Sequence, residues 1–284
     1  MFIKNYLFAS FGITALSEKR IADSPGFSPF LSDKIQKTAI NVQFEILPQI
    51  CGEVIRKELR KELVAVNGLK RLFTFFQSGS GVSDTPCACF EWGAGKNTLY
   101  VSGAVNFDDN FFFDAVDALS LLTLSGAGLL HCSFVNYSGH AVLFAGDKQA
   151  GKSTSASLWE TYAVAKTVNG DRAAIRIENG IPVAYSTPYC GSSDITFNFS
   201  LPLAAIALPQ KSAFDLAVKI SKTEAFLALF NLFTFNAEDE TQTGIITDIL
   251  AGICESVPVF SLNCTKSEGQ VVALKRAIDE FYGL

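Results

Sequence analysis

The chain has 284 residues, enough for one large domain or two of ordinary size, and 49% of them are hydrophobic, ample material for a core. A formal net charge of −5, with no Lys/Arg cluster interleaved with aromatics, speaks against a nucleic-acid partner, which would want a basic face. Seven irregularly spaced cysteines and two histidines make no zinc pattern, so the cysteines read as reduced thiols of a cytoplasmic protein.

The opening MFIKNYLFASFGITALSEKR holds one lysine and an apolar patch, but Lys4, Asn5, Ser10 and Thr14 interrupt it and no clean cleavage site follows. It reads as the start of a strand pair rather than a signal peptide. Alternation in INVQFEIL (40–47), LFTFF (72–76) and NTLYVSGAV (97–105) predicts strands. Turn signals stand at SPGFSP (24–29), NG (67–68), SGSGVSD (78–84) and GAGKN (93–97). Residues 1–110 are therefore expected to form a β-rich, mainly antiparallel N-terminal domain. RKELRKEL (56–63) carries both signs and reads as a solvated face.

Phe111 to Leu124 is predicted as one buried helix. The apolar run around it, to Val135, is interrupted by Asp114, Asp117, Gly126 and Gly128 and is too short to span a bilayer, so no membrane partner is expected. HCSFVNYSGHAVLFAG predicts two strands around a tight turn at Tyr137 to His140. The second strand, AVLFA, delivers a glycine-framed loop.

That loop, Gly146-Asp147-Lys148-Gln149-Ala150-Gly151-Lys152-Ser153, fits G-x-x-x-x-G-K-[ST], the phosphate-binding P-loop. Gly146 and Gly151 permit backbone angles that turn successive N–H groups inward. The helix opening near Lys152 aims its unpaired N–H groups and positive dipole end at the same anion. Lys152 would reach the β- and γ-phosphates, and Ser153 would hold Mg²⁺ with Thr154 beside it. The plain alternative is a Gly-rich turn with a surface lysine.

Beyond the loop, Leu158 and Trp159 can pack the helix. TVNGDRA (167–173) places Asp171 at a strand–turn junction. A carboxylate there could reach the metal or take a proton from an attacking hydroxyl, and it could equally be a turn residue. ENG between AAIRI and IPVAY predicts a hairpin. TPYCGSSDITFN (187–198) reads as a polar loop, either presenting groups to a substrate or simply covering surface. His131 ends an apolar stretch, where a lone histidine is more often a core residue than a catalyst. Helices are expected over 212–235 and 243–255, a strand at VPVFSLNC, and an amphipathic helix over 268–282.

The order His131, strand, turn, strand, P-loop, helix, NGD resembles the catalytic domain of HPr kinase/phosphorylase, whose P-loop fold is shared with phosphoenolpyruvate carboxykinases. More closely, the chain resembles bacterial HPr-kinase-related proteins. Their pattern is a histidine, a P-loop ending GKST, a leucine-tryptophan pair, an INGDR-like step and G-x-P-x-x-G-S-S. Here these are His131, Gly151 to Thr154, Leu158-Trp159, Asn169 to Arg172, and Pro188 to Ser193. The resemblance covers roughly 125–284.

It implies an α/β (α+β) P-loop kinase domain of the HPr kinase and carboxykinase type over 111–284, preceded by the β-rich domain. It implies ATP or another nucleoside triphosphate with Mg²⁺ as cofactors. Lys152 and the rest of 146–154 would bind phosphate, and Ser153 and Asp171 would serve the metal. Asp171 would be the metal-linked carboxylate or general base, with His131 bordering the reaction centre. Arg172, Gly191, Ser192 and Ser193 would lie on the acceptor side. Arg172 stands where HPr kinase has a second acid, which puts reverse phosphorolysis in doubt, and Asp147-Lys148-Gln149 replace the usual small loop residues. The acceptor would be a hydroxyl, on a serine of a peptide or protein or on a small metabolite. A nucleotide-binding regulator without transfer is the alternative from another class, and a homo-oligomer stays open.

Overall fold

The structure is a computed structural model describing residues 1–283 apart from 45–46, 50–52, 58–60, 67, 79–80, 94–96 and 104. The centres of the predicted NG, SGSG and GAGKN turns and of the RKELRKEL run lie outside the described residues. The chain divides into two compact units, Met1–Leu119 and Ser120–Leu284, and its fold is mixed α/β with two sheets and six α-helices among the described residues.

The first unit is built on an eight-stranded sheet. Its strands are β1 (Phe2–Phe8), β2 (Phe11–Ser17), β3 (Thr38–Gln43), β4 (Glu53–Lys57), β5 (Lys61–Val66), β6 (Leu69–Ser78), β7 (Gly81–Trp92) and β8 (Asn97–Val101). The order is β1-β2-β3-β8-β7-β6-β5-β4. Only β3 runs parallel to its neighbours, β2 and β8; the other pairings are antiparallel, as the alternation implied. Helix α1 (Asp109–Ala115) groups with this unit through Phe112 and Phe113, whose rings interleave with Tyr6, Phe8 and Phe27. Asp109 is buried, and its carboxylate accepts from Lys4, the Tyr6 hydroxyl and the Ser24 N–H, so the charge is paired and hydrogen-bonded.

The single helix expected over 111–124 is in fact two, α1 and α2 (Ala118–Leu124). Asp117 sits between them with φ of 51°, a left-handed backbone that no continuous helix tolerates. Lys61 stabilises the break from outside the helices, pairing with Asp114 at 3.2 Å and Asp117 at 3.9 Å. An apolar pattern on both sides of the break hides it from periodicity alone.

The second unit contains β9 (Gly128–Tyr137), β10 (His140–Ala145), α3 (Lys152–Tyr162), β11 (Lys166–Asn169), β12 (Arg172–Glu178), β13 (Ile181–Ser186) and β14 (Ser200–Lys211). It continues with β15 (Leu216–Lys219), α4 (Lys222–Phe230), β16 (Phe233–Thr234), α5 (Glu240–Ser256), β17 (Val259–Cys264) and α6 (Glu268–Tyr282). The two hairpins expected from the sequence are present. Ser138-Gly139 and Asn179-Gly180 all have positive φ, the pairing that matches strand twist in a two-residue turn.

The sheet order is β10-β9-β12-β13-β14-β17-β15, with β11 and β16 added on β9. The long strands β9 and β14 change partners along their length. β9 pairs with β12 in its first half and β10 in its second, and β14 pairs first with β13 and then with β10. The strands β10, β9, β12, β13 and β14 therefore close a ring. Only β10–β14 and β14–β17 are parallel, so this is not a doubly wound parallel sheet.

β10 is covered on both faces, which explains why AVLFA is apolar throughout. Val142 and Phe144 pack with Trp159 of α3 and Leu274 and Ile278 of α6. Ala141, Leu143 and Ala145 face the other core, with Leu229 of α4 and Ile246 and Leu250 of α5. Trp159 is fully buried, its ring edge-on to Tyr137 and Phe144.

The long helix expected over 212–235 is corrected to β15, α4 and β16. Leu216–Lys219 completes an antiparallel edge on β17, and the Ser221–Glu224 capping box opens the helix only at Lys222. The next helix starts at Glu240, earlier than the expected Thr243, because the Asp239 carboxylate caps the N–H groups of Thr241 and Gln242. α6 has the predicted bounds and ends on Gly283 at φ of 71°. Among the described residues no helix is long and apolar enough to cross a membrane.

Candidate phosphate-binding site

The loop 146–151 joins β10 to α3. Gly151, the residue before the helix, has φ of 108°, and Gln149 has φ of 68°. No side chain caps α3, and its first helical bond runs from Ser155 N–H to the Gly151 carbonyl. The opening N–H groups of the helix are thus left for a ligand. Lys152 is buried and folds back across the loop, donating at 2.9 Å to the carbonyls of both Gly146 and Asp147. Burial lowers its pKa, and the nearby Asp171 carboxylate pulls it partly back up. A buried ammonium bonded only to loop carbonyls, beside an uncapped helix start, suits an anion.

Ser153 and Thr154 are exposed at the first turn of α3, and Asp147, Lys148 and Gln149 point to solvent. Asp147 is exposed, yet its charge still reaches the cradle, where it joins Asp171 in favouring the protonated form of Lys152. Mg²⁺ takes few protein ligands and completes its shell with phosphate oxygens and water. An exposed serine hydroxyl at the helix start fits that habit, while the Asp171 carboxylate acts on Lys152. Among the described residues no cluster of three or more His, Cys, Asp or Glu offers an all-protein metal cage.

A cavity of about 260 Å³ opens along the loop, lined by residues 149–155 and, on the far wall, by Lys211, Cys264, Thr265, Lys266 and Gln270. These lie at the ends of β14 and β17 and the start of α6. Because β10, β14 and β17 are parallel, their C-terminal ends converge on one edge, where ligands of α/β sheets sit. Gln270 is buried; it accepts from the Ser155 hydroxyl and donates to the Thr265 carbonyl, fastening α3 to the far wall. Sequence reasoning missed all five far-wall residues. No local motif marks them, and only the strand order brings them to the loop.

On the other side of β10, the β9–β12 register sets Arg172 opposite His131. Asp171 falls between β11 and β12, and its carbonyl accepts from Cys132 N–H at 2.9 Å. Its carboxylate lies 3.4 Å from His131 Nε2 and 3.3 Å from Arg172 Nε. Arg172 also donates to the Thr234 hydroxyl at 2.7 Å, a link from β12 to β16. Burial lowers the His131 pKa, Lys152 adds to that, and Asp171 opposes it. His131, Lys152, Asp171 and Arg172 therefore form one electrostatic group, and Asp171 is 30% exposed in its side chain rather than out in bulk water.

The loop 187–199 leans on this group through Gly191. A Cβ there would lie 2.9 Å from the Asp171 carboxyl carbon, and Gly191 has φ of +59°. Ser192 is exposed. The Ser193 hydroxyl donates to the Cys190 carbonyl, accepts from Ile195 N–H, and fills the space that a Cβ on Gly170 would need. It locks the loop rather than projecting from it. Gly191→Ala should push the carboxylate aside and strain a left-handed residue, at about 1–2 kcal/mol of stability. The expected result is a lower melting temperature and a shifted His131 imidazole resonance, read by thermal unfolding and ¹⁵N NMR. An unmoved His131 signal would show that the loop does not set the carboxylate.

No family model matches this chain, and no curated protein matches it. Among solved structures it is similar to the HPr(Ser) kinase/phosphatase from Coxiella burnetii, at 12% identity, 55% coverage of this chain and 99% of that chain, with a TM-score of 0.32. A likeness at that score fixes neither fold nor site, and both rest on the geometry above.

Proposed function

We propose that the chain is a phosphotransferase of the HPr kinase-like P-loop type, moving the γ-phosphoryl group of a Mg²⁺-bound nucleoside triphosphate, ATP in the first instance, to a hydroxyl. The observation that carries this reading is convergence. The Asp171 carboxylate, between β11 and β12, lies 3.4 Å from His131 Nε2 and 3.3 Å from Arg172 Nε and favours the charged form of Lys152 at the loop.

When bound, the nucleotide supplies the phosphoryl group and Mg²⁺ offsets the charge on its oxygens. Lys152 would leave its loop carbonyls to hold phosphate oxygens, and the start of α3 would add N–H donors. Ser153 would hold the metal through its hydroxyl. Asp171 accepts the proton of the attacking hydroxyl, so that a new O–P bond forms as the bond to the leaving diphosphate breaks. Arg172, held by Thr234, keeps the carboxylate in place. His131, on β9, borders the carboxylate.

The acceptor side is open rather than enclosed. Residues 191–195 are exposed, and the apolar residues Ile195, Phe197 and Phe199 are 38%, 47% and 47% exposed. That surface favours the serine of a peptide or protein over a small metabolite. The test is incubation with γ-labelled ATP, Mg²⁺ and a library of serine-containing peptides. Label should appear on peptide hydroxyls with matching release of ADP, and chelation of Mg²⁺ should stop both. A protein that binds Mg²⁺-ATP yet releases no ADP with any acceptor, water included, would be a nucleotide-binding regulator instead.

A further inference from the structure

Asn169 is fully buried at the end of β11, and its carboxamide is completely engaged. Oδ1 accepts from the N–H groups of Asp171 and Arg172, both at 2.9 Å. This half is an ordinary Asx turn, and it sets where Asp171 leaves the strand. The other half reaches elsewhere. The two hydrogens of Nδ2 are shared among the Thr187 carbonyl at 2.8 Å, the Thr196 hydroxyl at 3.1 Å and the Ser186 hydroxyl at 3.2 Å.

Those oxygens stand at the two feet of the loop carrying Gly191. Thr196 further donates to the Thr187 carbonyl and bonds Ser186, and Thr187 donates to the Arg172 carbonyl. One side chain therefore grips both arms that meet at the Asp171 carboxyl: the backbone of Asp171 and the Gly191 loop. An aspartate at 169 could make the turn but could not donate to the loop. The donor half is what a turn residue does not need.

We infer that Asn169 is the positioning residue of this site, fixing the Asp171 carboxylate against His131 and tying it to the Gly191 loop. The inference rests on the transfer reading for its purpose, while its geometry can be tested apart from it. The chain has two histidines, so the imidazole ¹⁵N spectrum at fixed pH 8 has one reporter beside Asp171 and one, His140, exposed as a control.

The experiment compares the full chain with Asn169→Ala, Asn169→Ser and, as the reference for a lost carboxylate, Asp171→Asn. Serine can keep the turn acceptor but cannot reach the loop. Both Asn169 variants should move the His131 resonances toward those of Asp171→Asn and leave His140 unchanged. Mg²⁺-ATP turnover, with water as acceptor, should fall roughly tenfold to a hundredfold at unchanged nucleotide Kd. If serine restores the wild-type spectrum, Asn169 is only a turn former and the inference fails. Folded variants that lose thermal stability but keep the His131 signal also overturn it. Should neither Asn169 variant fold, Thr196→Val removes one tie with Asn169 in place and should shift His131 in the same direction; no shift counts against the inference. A wild type that neither binds nor turns over Mg²⁺-ATP, but whose variants shift His131, would sink the transfer reading and leave the positioning role standing.

Discussion

Asp171→Asn is expected to cut phosphoryl transfer by roughly two orders of magnitude or more, the usual scale for losing a general base, while nucleotide affinity stays within a few-fold. The substitution is nearly isosteric. The backbone bonds of Asp171 to Asn169 and Cys132 survive it, so the fold around the site should persist. What disappears is the charge that faces His131 and Arg172 and supports the protonated form of Lys152. Catalysis of phosphoryl transfer is mainly positioning and charge neutralisation, so this loss falls on turnover more than on binding. Slow ATP hydrolysis serves as the readout until the acceptor is identified. Turnover within a few-fold of wild type would reduce Asp171 to a turn residue.

Lys152→Ala is expected to abolish the rise in melting temperature that Mg²⁺-ATP gives the wild type. At a free nucleotide concentration about a hundredfold above Kd, binding to the folded state alone adds about 2.7 kcal/mol. For a unit of this size that corresponds to about 5–10 °C. Without the ammonium, the cradle loses its one buried cation. The ligand-free variant should melt no lower than wild type. Burial disfavours the charged lysine, and its only hydrogen-bond partners are two carbonyls of a solvent-facing loop. A full nucleotide-dependent shift in the variant would place the nucleotide elsewhere.

The parts of this protein that follow local rules are legible in its sequence. Asn179-Gly180 and Ser138-Gly139 mark hairpins because few residues adopt their backbone angles, and both hairpins are present. The P-loop pattern stands between a strand and a helix, as its chemistry requires. α6 carries an amphipathic pattern bounded by a serine cap and a glycine stop. Pairing choices are different. Nothing local says that β14 will switch from β13 to β10 and close a ring, or that Leu216–Lys219 will become an edge strand on β17. Lys211 and Lys266 reach the cavity only through that strand order. Asn169 reads as the first residue of an Asn-Gly turn, and its second set of bonds appears only once the loop 187–199 returns to it.

The most direct measurement is a crystal structure of the full chain with Mg²⁺ and a non-hydrolysable ATP analogue. The proposed phosphotransfer site requires the β- and γ-phosphates in the loop 146–151, with Lys152 swung off the Gly146 and Asp147 carbonyls onto their oxygens and Ser153 on the metal. The γ-phosphate should face Asp171, and the nucleoside should lie toward Lys211 and Lys266. A nucleotide bound away from the loop, or one whose γ-phosphate points away from Asp171, would contradict it.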